Sequence, residues 1–420
     1  MFSSRMPAVL TPNRLTARLA ELRAAGETVL DLTESNPTRA GIDYPPGLLI
    51  PLADPAGLRY DPSARGLLVA RQAVALDALR HGIDLDPARI VLTASTSEAY
   101  GFLFKLLCDP GDEVLVPRPS YPLFEHLSAL DGVRALPYTL DYYGRWSVDV
   151  DSLTRAITSR TRAILVVSPN NPTGSCLSAG ELDALAALCE RHGLALIGDE
   201  VFAEYTLNDA AGPAGSASSA GSAGSAGSAR TGTGGTGGSR KHVSVLSQRR
   251  ALTFGLGGLS KSIGLPQVKL GWIGVGGPDA LVGAALDRLD LIADTYLSVS
   301  TPVQLAAPLL IERGHAVRTQ IQMRIEANLR ALERAVARAP GCTLLHPEAG
   351  WTAVLRVPAT RAEEDLVLDL LAEDRVLIMP GYFYDFPREA YLVVSLLPDP
   401  AVFNEAVARV LTRAEAEPRG

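Results

Sequence analysis

The sequence lacks several features that mark specialised classes of protein. With 39 Lys and Arg against 46 Asp and Glu, its net charge is −7, so it has no surplus of positive charge to attract nucleic acid or an anionic membrane surface. Its four cysteines form no CxxC pair and have no histidine at metal-ligand spacing, so we expect reduced thiols and no metal site. No uncharged apolar run reaches about 18 residues, and the first residues lack the continuous apolar core of a signal peptide. We therefore expect a cytoplasmic protein with no nucleic-acid or membrane partner.

What the sequence does contain is the composition of a globular protein. Hydrophobic residues make up 47% and charged residues 20% of the 420 residues, which excludes a mainly disordered or fibrous chain. A chain of this length buries a sizeable core and suggests roughly two to three structural units.

Short apolar segments alternate with helical patterns up to about residue 290. Segments that are apolar on both faces and separated by helices predict a mostly parallel sheet buried on both sides. The predicted strands are 90–93, 113–116, 163–167, 194–197, 252–254 and 272–275. We therefore predict an α/β fold with a large doubly wound domain, whose ligand site lies beyond the carboxyl ends of the strands.

The two ends of the chain have other patterns, which predict a smaller α+β domain. After about residue 295 we predict a helix over 304–339, strands over 351–357 and 391–396 and a closing helix from 401, whereas helices over 13–25 and 69–79 are predicted before the alternating segments. We divide the chain into an N-terminal arm (1–48) that joins the small domain, a large domain (49–295) and a small C-terminal domain (296–420). Residues 211–239 are almost entirely Gly, Ala, Ser and Thr, a composition that predicts a flexible insert.

Lys261 lies in the segment LTFGLGGLSKSIGLPQVKLGW (252–272), just after a predicted strand and within a glycine-rich turn. The simplest interpretation is a surface lysine near a turn. A Walker A phosphate loop requires glycine immediately before its Lys-Ser/Thr pair, and Ser260 occupies that place, so this motif is excluded.

Two other segments end predicted strands with polar residues. The run VVSPNNPTGSCL (166–177) leads from a strand into a turn at Asn171, which is compatible with a turn alone or with an amide that points into the sheet crevice. The run LALIGDEVFAEY (194–205) ends a strand with Asp199 and Glu200, where an acidic residue often caps a helix.

The order NPTG (171–174), DEVF (199–202) and SK..GLP..K.GW (260–272) resembles the class I/II aminotransferases, which are fold-type-I enzymes that use pyridoxal 5′-phosphate (PLP). The resemblance covers nearly the whole chain and leaves out the insert. It implies the fold-type-I architecture of PLP-dependent transferases, a PLP cofactor, and amino acid and keto acid substrates.

The resemblance assigns roles to four residues. Lys261 matches the catalytic lysine, which forms a Schiff base with the cofactor and, once displaced, moves the Cα proton. Asp199 matches the partner of the pyridine nitrogen, Asn171 the residue that hydrogen-bonds the phenolic oxygen, and Tyr121 the aromatic ring stacked on the cofactor.

The cofactor's phosphate is expected where the strand at 90–93 runs into a helix. Ser95, Thr96 and Ser97 can offer hydroxyl and backbone N–H groups there, although an ordinary helix cap has the same sequence. Tyr60 matches a tyrosine that reaches the phosphate of the neighbouring subunit, which implies a homodimer with shared active sites.

Several residues depart from the family pattern. Lys269 replaces a phosphate-binding arginine and Gly258 replaces a serine, so we expect the phosphate contact to shift toward Ser260 and backbone amides. Phe202 stands where the family commonly has a tyrosine that hydrogen-bonds the phenolic oxygen. We therefore expect a higher pKa for the Schiff-base nitrogen than the family tyrosine would give.

The substrate side departs most. Val393 stands where the family has the arginine that binds a substrate's α-carboxylate. We name Asn36, Arg388 and Tyr382 as candidate substrate contacts, with Arg39, Arg356 and Tyr384 as further possibilities. Surface charges and core packing are the simpler interpretations of these arginines and tyrosines.

The leading hypothesis is an aminotransferase that passes an amino group from an amino acid to a keto acid. The alternative is another PLP reaction on the same fold, such as elimination, decarboxylation, cyclisation or oxidation. A catalytically silent transcriptional regulator is disfavoured because about 30 residues precede the family region, too few for a helix-turn-helix domain.

Overall fold

The computed structural model describes residues 2–7, 10–207 and 242–416 of the chain. The predicted insert at 211–239 lies outside these residues. Among the helices that the model describes, none is both long and apolar enough to cross a membrane.

Helices connect most of the strands and cover the large sheet. In chain order the described helices are α1 (Arg14–Ala24), α2 (Leu68–Leu79), α3 (Thr96–Leu107), α4 (Leu123–Leu130), α5 (Val150–Ala156), α6 (Ala179–His192), α7 (Leu259–Ser262), α8 (Asp279–Tyr296), α9 (Thr301–Val336), α10 (Glu363–Ala372) and α11 (Pro400–Glu415). The long helix α9 packs against both α2 and α11, so it joins the two parts of the fold.

The strands form one large sheet and smaller ones. In chain order they are β1 (Leu30–Asp31), β2 (Ile90–Thr93), β3 (Glu113–Arg118), β4 (Arg134–Tyr142), β5 (Trp146–Val148), β6 (Thr161–Val167), β7 (Ala195–Asp199), β8 (Thr253–Gly258), β9 (Gly271–Gly276), β10 (Thr343–Leu345), β11 (Thr352–Arg356), β12 (Val376–Leu377), β13 (Met379–Pro380) and β14 (Tyr391–Ser395). The large sheet has the order β2-β9-β8-β7-β6-β3-β4-β5, and a second sheet has the order β10-β11-β14-β13.

The large sheet is mostly parallel and is buried on both faces. The pairs formed by β8, β7, β6, β3 and β4 are parallel, whereas β9 runs antiparallel to both of its neighbours. Successive side chains of β6 enter different hydrophobic clusters, since Ile164 packs with one and Leu165 with the other. This alternation follows from the two-residue period of a strand and explains the continuous apolar sequence.

The α/β fold with a large, mostly parallel sheet is therefore confirmed, and each of the predicted strands of that sheet is present. The strands β4 and β5 were not predicted, because β4 has a mixed and partly exposed pattern with Pro137 in it and β5 has only 3 residues. The domain boundaries at 48 and 295 stay a prediction. The arm contributes β1, which pairs with β12.

Candidate active site

The side chain of Lys261 lies against aromatic rings just beyond β8. Its Nζ is 4.9 Å from the centroid of the Trp351 ring and 5.5 Å from that of Phe202. Burial lowers the pKa of this amine to about 8, although the nearby charge of Asp199 raises it. Because more of the amine is neutral near physiological pH than in an exposed lysine, Lys261 is a better nucleophile.

Glycines allow the chain to reach this position. A Cβ atom on Gly257 would lie 2.6 Å from the Trp272 ring, and one on Gly258 would lie 3.2 Å from the carbonyl oxygen of Leu270. The close contact between β8 and β9, and the turn from β8 into α7, therefore require residues without a side chain.

Asp199 ends β7 and is buried beside the same lysine. The hydroxyl of Tyr100 donates a hydrogen bond to its Oδ2 at 2.7 Å, and the backbone N–H of Val201 donates to its Oδ1 at 3.2 Å. Burial raises the pKa of Asp199, and these two hydrogen bonds and the charge of Lys261 oppose that rise. The site thus holds a buried carboxylate that has hydrogen-bond donors and can stabilise a positive charge placed against it.

Asn171 comes from the loop after β6, the strand next to β7. Val167 on β6 is in register with Asp199 on β7, so both loops leave the same edge of the sheet. The Oδ1 atom of Asn171 is buried and has no hydrogen-bond partner among the described residues. A side-chain amide can both donate and accept, so Asn171 is available to a polar group of a ligand.

The start of α3 approaches this edge from the other side. Ser95 is the N-cap residue of α3, its Oγ accepts a hydrogen bond from the N–H of Glu98 at 3.2 Å, and Thr96 and Ser97 form the first turn. A Cβ on Gly271, which pairs with Gly258, would lie 3.0 Å from the carbonyl carbon of Ser95. These glycines leave space at a helix N-terminus, where an anion is stabilised by backbone N–H groups.

Ser260 and Lys269 lie in the segment that connects β8 to β9. Ser260 is half-buried in α7, directly before Lys261. Lys269 is exposed and has a left-handed backbone conformation with φ of 60°. The contact of either residue with a phosphate stays a prediction.

Tyr121 and Tyr382 line one groove, of about 590 Å³, between the end of β3 and the segment after β13. The Tyr121 side chain is 44% exposed and that of Tyr382 is 40% exposed. Arg118 forms an ion pair with Asp385 at 3.3 Å across this groove. Tyr60, in contrast, lies on another surface and is 75% exposed.

The other candidate substrate contacts do not line this groove. The Oδ1 atom of Asn36 accepts hydrogen bonds from the N–H and the hydroxyl of Thr38, and Arg388 is exposed in the loop before β14. Arg39 forms an ion pair with Glu34 at 3.0 Å, and Arg356 is exposed at the end of β11. Val393 is buried on β14, where it pairs with residues of β11 and β13.

The sequence reasoning missed residues that the fold brings to Lys261 and Asp199. Tyr100 lies on α3 among apolar residues, where only its hydroxyl distinguishes it from core, and Trp351 precedes β11. Tyr205 follows DEVF closely, and its hydroxyl donates to the carbonyl oxygen of Lys261 at 2.6 Å. The available signal was for Tyr100, a hydroxyl-bearing aromatic residue in an otherwise apolar stretch.

Comparison with known proteins finds similarity to aminotransferases. The relatives that the chain resembles include an alanine aminotransferase of Mycobacterium tuberculosis, 29% identical over 396 residues, which covers 90% of this chain and 84% of the relative. A glutamate-pyruvate aminotransferase of Escherichia coli is 26% identical over 388 residues, with coverage of 90% and 88%.

The structural comparison extends over almost the whole chain. The structure of an alanine aminotransferase from Pyrococcus furiosus matches with a TM-score of 0.80 at 23% identity and covers 98% of this chain and 99% of that one, which supports the fold. The family model described as aminotransferase class I and II matches residues 53–410. The chain therefore belongs to the class I and II aminotransferase family.

Proposed function

We propose that the protein is a PLP-dependent aminotransferase, in which Lys261 carries the cofactor and an amino group passes from an amino acid to a keto acid. The observation that carries this proposal is the buried amine of Lys261, whose pKa is lowered to about 8, beside the buried carboxylate of Asp199. Burial raises the pKa of Asp199, and the hydrogen bonds from Tyr100 and Val201 and the charge of Lys261 oppose that rise. A buried carboxylate of this kind is stabilised further by a cationic partner.

The described residues fit the cofactor. Asn171 has a buried amide oxygen without a partner, and the glycines at 258 and 271 keep space free at the start of α3. Asp199 would hold the protonated pyridine nitrogen, Asn171 the phenolic oxygen, and Ser95, Thr96, Ser97, Ser260 and Lys269 the phosphate. When bound, the cofactor supplies a reactive aldehyde and a conjugated ring that withdraws electrons from the substrate's Cα.

Each side chain then has a defined task. Tyr100 and the N–H of Val201 orient Asp199 and favour its ionised form against the effect of burial, and the rings of Phe202 and Trp351 lie against the amine of Lys261 and shield it from water. Once displaced by the substrate's amine, Nζ of Lys261 would be the base that accepts the proton from the substrate's Cα.

The substrates are proposed as a small amino acid and a keto acid. The relatives are named for alanine, for glutamate with pyruvate, and for aspartate, which makes these compounds the first to test. Tyr382, Arg388 and Asn36 are the proposed substrate contacts, since Val393 offers no charge to a carboxylate.

We also propose a homodimer in the cytoplasm. Several large apolar residues between positions 50 and 79 are exposed, and an exposed apolar surface is typical of an interface. They include Ile50, Leu58, Leu68, Leu76 and Leu79, which are between 50% and 92% exposed. Tyr60 is exposed as well and is available to the second subunit's phosphate. Burial raises the pKa of the Cys108 and Cys189 thiols to about 12, so little of either is in the reactive thiolate form near neutral pH.

The test follows the cofactor's visible absorption while the purified protein is mixed with amino acids and primary amines, with Lys261→Ala as the control. Conversion of the absorption to that of the amine form, with release of the matching keto acid, is the expected result. Release of ammonia or carbon dioxide without the amine form would contradict transamination and favour another PLP reaction.

A further inference from the structure

We propose that Tyr205, Arg318 and Tyr44 are positioning residues that hold the Lys261 segment by its backbone carbonyl groups. The Lys261 segment is defined as residues 259–264. This inference rests on the proposed role of Lys261 and goes beyond it, because none of the three residues needs to touch cofactor or substrate.

Within the segment, the N–H of Gly264 donates to the carbonyl of Lys261 at 3.3 Å, and the carbonyls of Ser262 and Gly264 accept hydrogen bonds from side chains instead. The helix α7 has only 4 residues, and the last carbonyl groups of a helix have no partner within it. After Ser262 the chain leaves the helical conformation, and Gly264 has φ of +65°. The direction of the Lys261 side chain therefore depends on what binds these carbonyl oxygens.

Three side chains bind them, each from a different part of the fold. The Tyr205 hydroxyl donates to the carbonyl of Lys261 at 2.6 Å, Arg318 Nε donates to that of Ser262 at 2.8 Å, and the Tyr44 hydroxyl donates to that of Gly264 at 2.6 Å. Tyr205 follows β7, Arg318 lies on α9 and Tyr44 belongs to the N-terminal arm. The segment is thus held at three successive points.

Arg318 is itself fixed by buried acidic residues. Its Nε lies 3.1 Å from Oε2 of Glu204, and its second terminal nitrogen lies 3.7 Å from Oδ2 of Asp77. Burial opposes ionisation of Glu204, but the contact with His81 and the charge of Arg318 outweigh it, so the pKa of Glu204 is below its usual value. The Nε–H of Arg318 thus lies near both Oε2 of Glu204 and the carbonyl of Ser262, and the planar guanidinium keeps it there, which a flexible lysine would not do.

The approach of α9 is built into the sequence. A Cβ on Gly314, one turn before Arg318, would lie 2.7 Å from the Cβ of Ile263 in the Lys261 segment. A glycine at this point lets α9 come close enough for Arg318 to reach Ser262.

Tyr205 acts as a donor over the whole working range of pH. It is fully buried, and burial raises its pKa well above 10. Its ring packs edge to face on Trp351 at 5.1 Å, and the Trp351 ring contacts the Lys261 amine. Tyr205 therefore fixes both the backbone of Lys261 and a wall of its side-chain pocket.

The test compares Tyr205→Phe with Tyr138→Phe in the holoenzyme. Tyr138 is an equally buried tyrosine of the large domain, and its hydroxyl donates to the carbonyl of Leu165 at 2.9 Å. Each variant loses one buried hydrogen bond, so the melting temperatures of the two should fall by similar amounts. Only Tyr205→Phe should lower kcat, by about tenfold, because a displaced reacting group loses rate steeply.

Three readouts separate positioning from stability. In Tyr205→Phe the KM for the amino acid should change by less than about threefold, since the effect falls on the chemical step. The pH midpoint of the cofactor's visible absorption should shift, and cofactor uptake by the apoprotein should slow. In Tyr138→Phe these values should equal those of the wild type.

Two further variants keep the proposal open to refutation if Tyr205→Phe does not fold. Tyr44→Phe removes the half-buried contact to Gly264 and should give the same changes at a smaller size. Arg318→Lys should lower kcat, whereas Arg324→Lys should not, because Arg324 donates to the carbonyls of Ala40 and Leu397 from the same helix.

The outcomes distinguish this proposal from that on Lys261. If Tyr205→Phe, Tyr44→Phe and Arg318→Lys retain the kcat and the absorption midpoint of the wild type while Lys261→Ala is inactive, only the positioning role is wrong. If Lys261→Ala remains active with normal cofactor absorption, the proposed function itself is wrong.

Discussion

The cofactor side and the substrate side of the candidate site differ in how their polar groups are held. On the cofactor side, Asp199 is buried and receives defined hydrogen bonds, and Lys261 is half-buried with an amine whose pKa is lowered by desolvation. On the proposed substrate side, Tyr382 is 40% exposed and Arg388 lies in an exposed loop. The difference indicates that the groups proposed to hold the cofactor are in place before it binds. The groups proposed to contact the substrate would take up their positions when the substrate binds.

The largest effect is expected from substitution of Lys261, on the cofactor side of the site. Lys261→Ala should lower kcat by about 10⁴-fold, because it removes the group that moves the Cα proton. The control is Lys105→Ala, which removes an exposed lysine paired with Asp131 and should leave kcat unchanged. Similar activities of the two variants in a coupled assay of keto acid formation would contradict the proposed role of Lys261.

Asp199→Asn tests the second buried group. If Asp199 holds the pyridine nitrogen protonated, loss of its charge should lower kcat by roughly 10²-fold to 10³-fold, with a smaller change in KM. Asp279→Asn is the matched control, since Asp279 is 90% exposed in its ion pair with Arg89. Wild-type turnover of Asp199→Asn in steady-state kinetics would show that the carboxylate has no role in the chemistry.

The substrate side should respond in KM rather than in kcat. If Arg388 contacts the substrate carboxylate, Arg388→Ala should raise the KM for the amino acid by about tenfold and leave that of a primary amine unchanged. Arg356→Ala is the comparison, because Arg356 is exposed and lies at the end of β11. Equal KM values for the two variants would remove Arg388 from the substrate side.

The pH dependence of the Lys261 amine tests its burial. Because burial lowers the pKa to about 8, the reactive neutral form increases as the pH rises through about 8 and not through the ordinary value of 10.5. Cofactor uptake by the apoprotein, followed by absorption, should rise severalfold over that interval and then level off. A rate that keeps rising until the pH reaches 10.5 would mean that the lysine is solvated.

The smallest effect concerns Phe202, which is 7% exposed and faces the Lys261 amine. Phe202→Tyr should add a donor near the phenolic oxygen and lower the pH midpoint of the cofactor's visible absorption, with kcat within about threefold of the wild type. An unchanged midpoint in a pH titration would show that the added hydroxyl does not reach that oxygen.

The sequence predicted the large sheet and the order of its site residues, because fully buried strands such as β7 leave continuous apolar runs that end at polar residues like Asp199. It did not predict β4, whose mixed burial leaves no clear period. It also missed Tyr100 and Trp351, since the distance between α3 or β11 and the sheet edge depends on tertiary packing. The carbonyl contacts of Tyr205 and Arg318 have no sequence signal, because a backbone acceptor is the same at every residue.

The most direct test of the account identifies the lysine that carries the cofactor. The sequence has four lysines, at positions 105, 241, 261 and 269, so each can be assigned by mass spectrometry of peptides after borohydride reduction of the holoenzyme. The account predicts the pyridoxyl mass on the peptide that contains Lys261 and on no other. Label on Lys105, Lys241 or Lys269, or an active enzyme without any label, would contradict it.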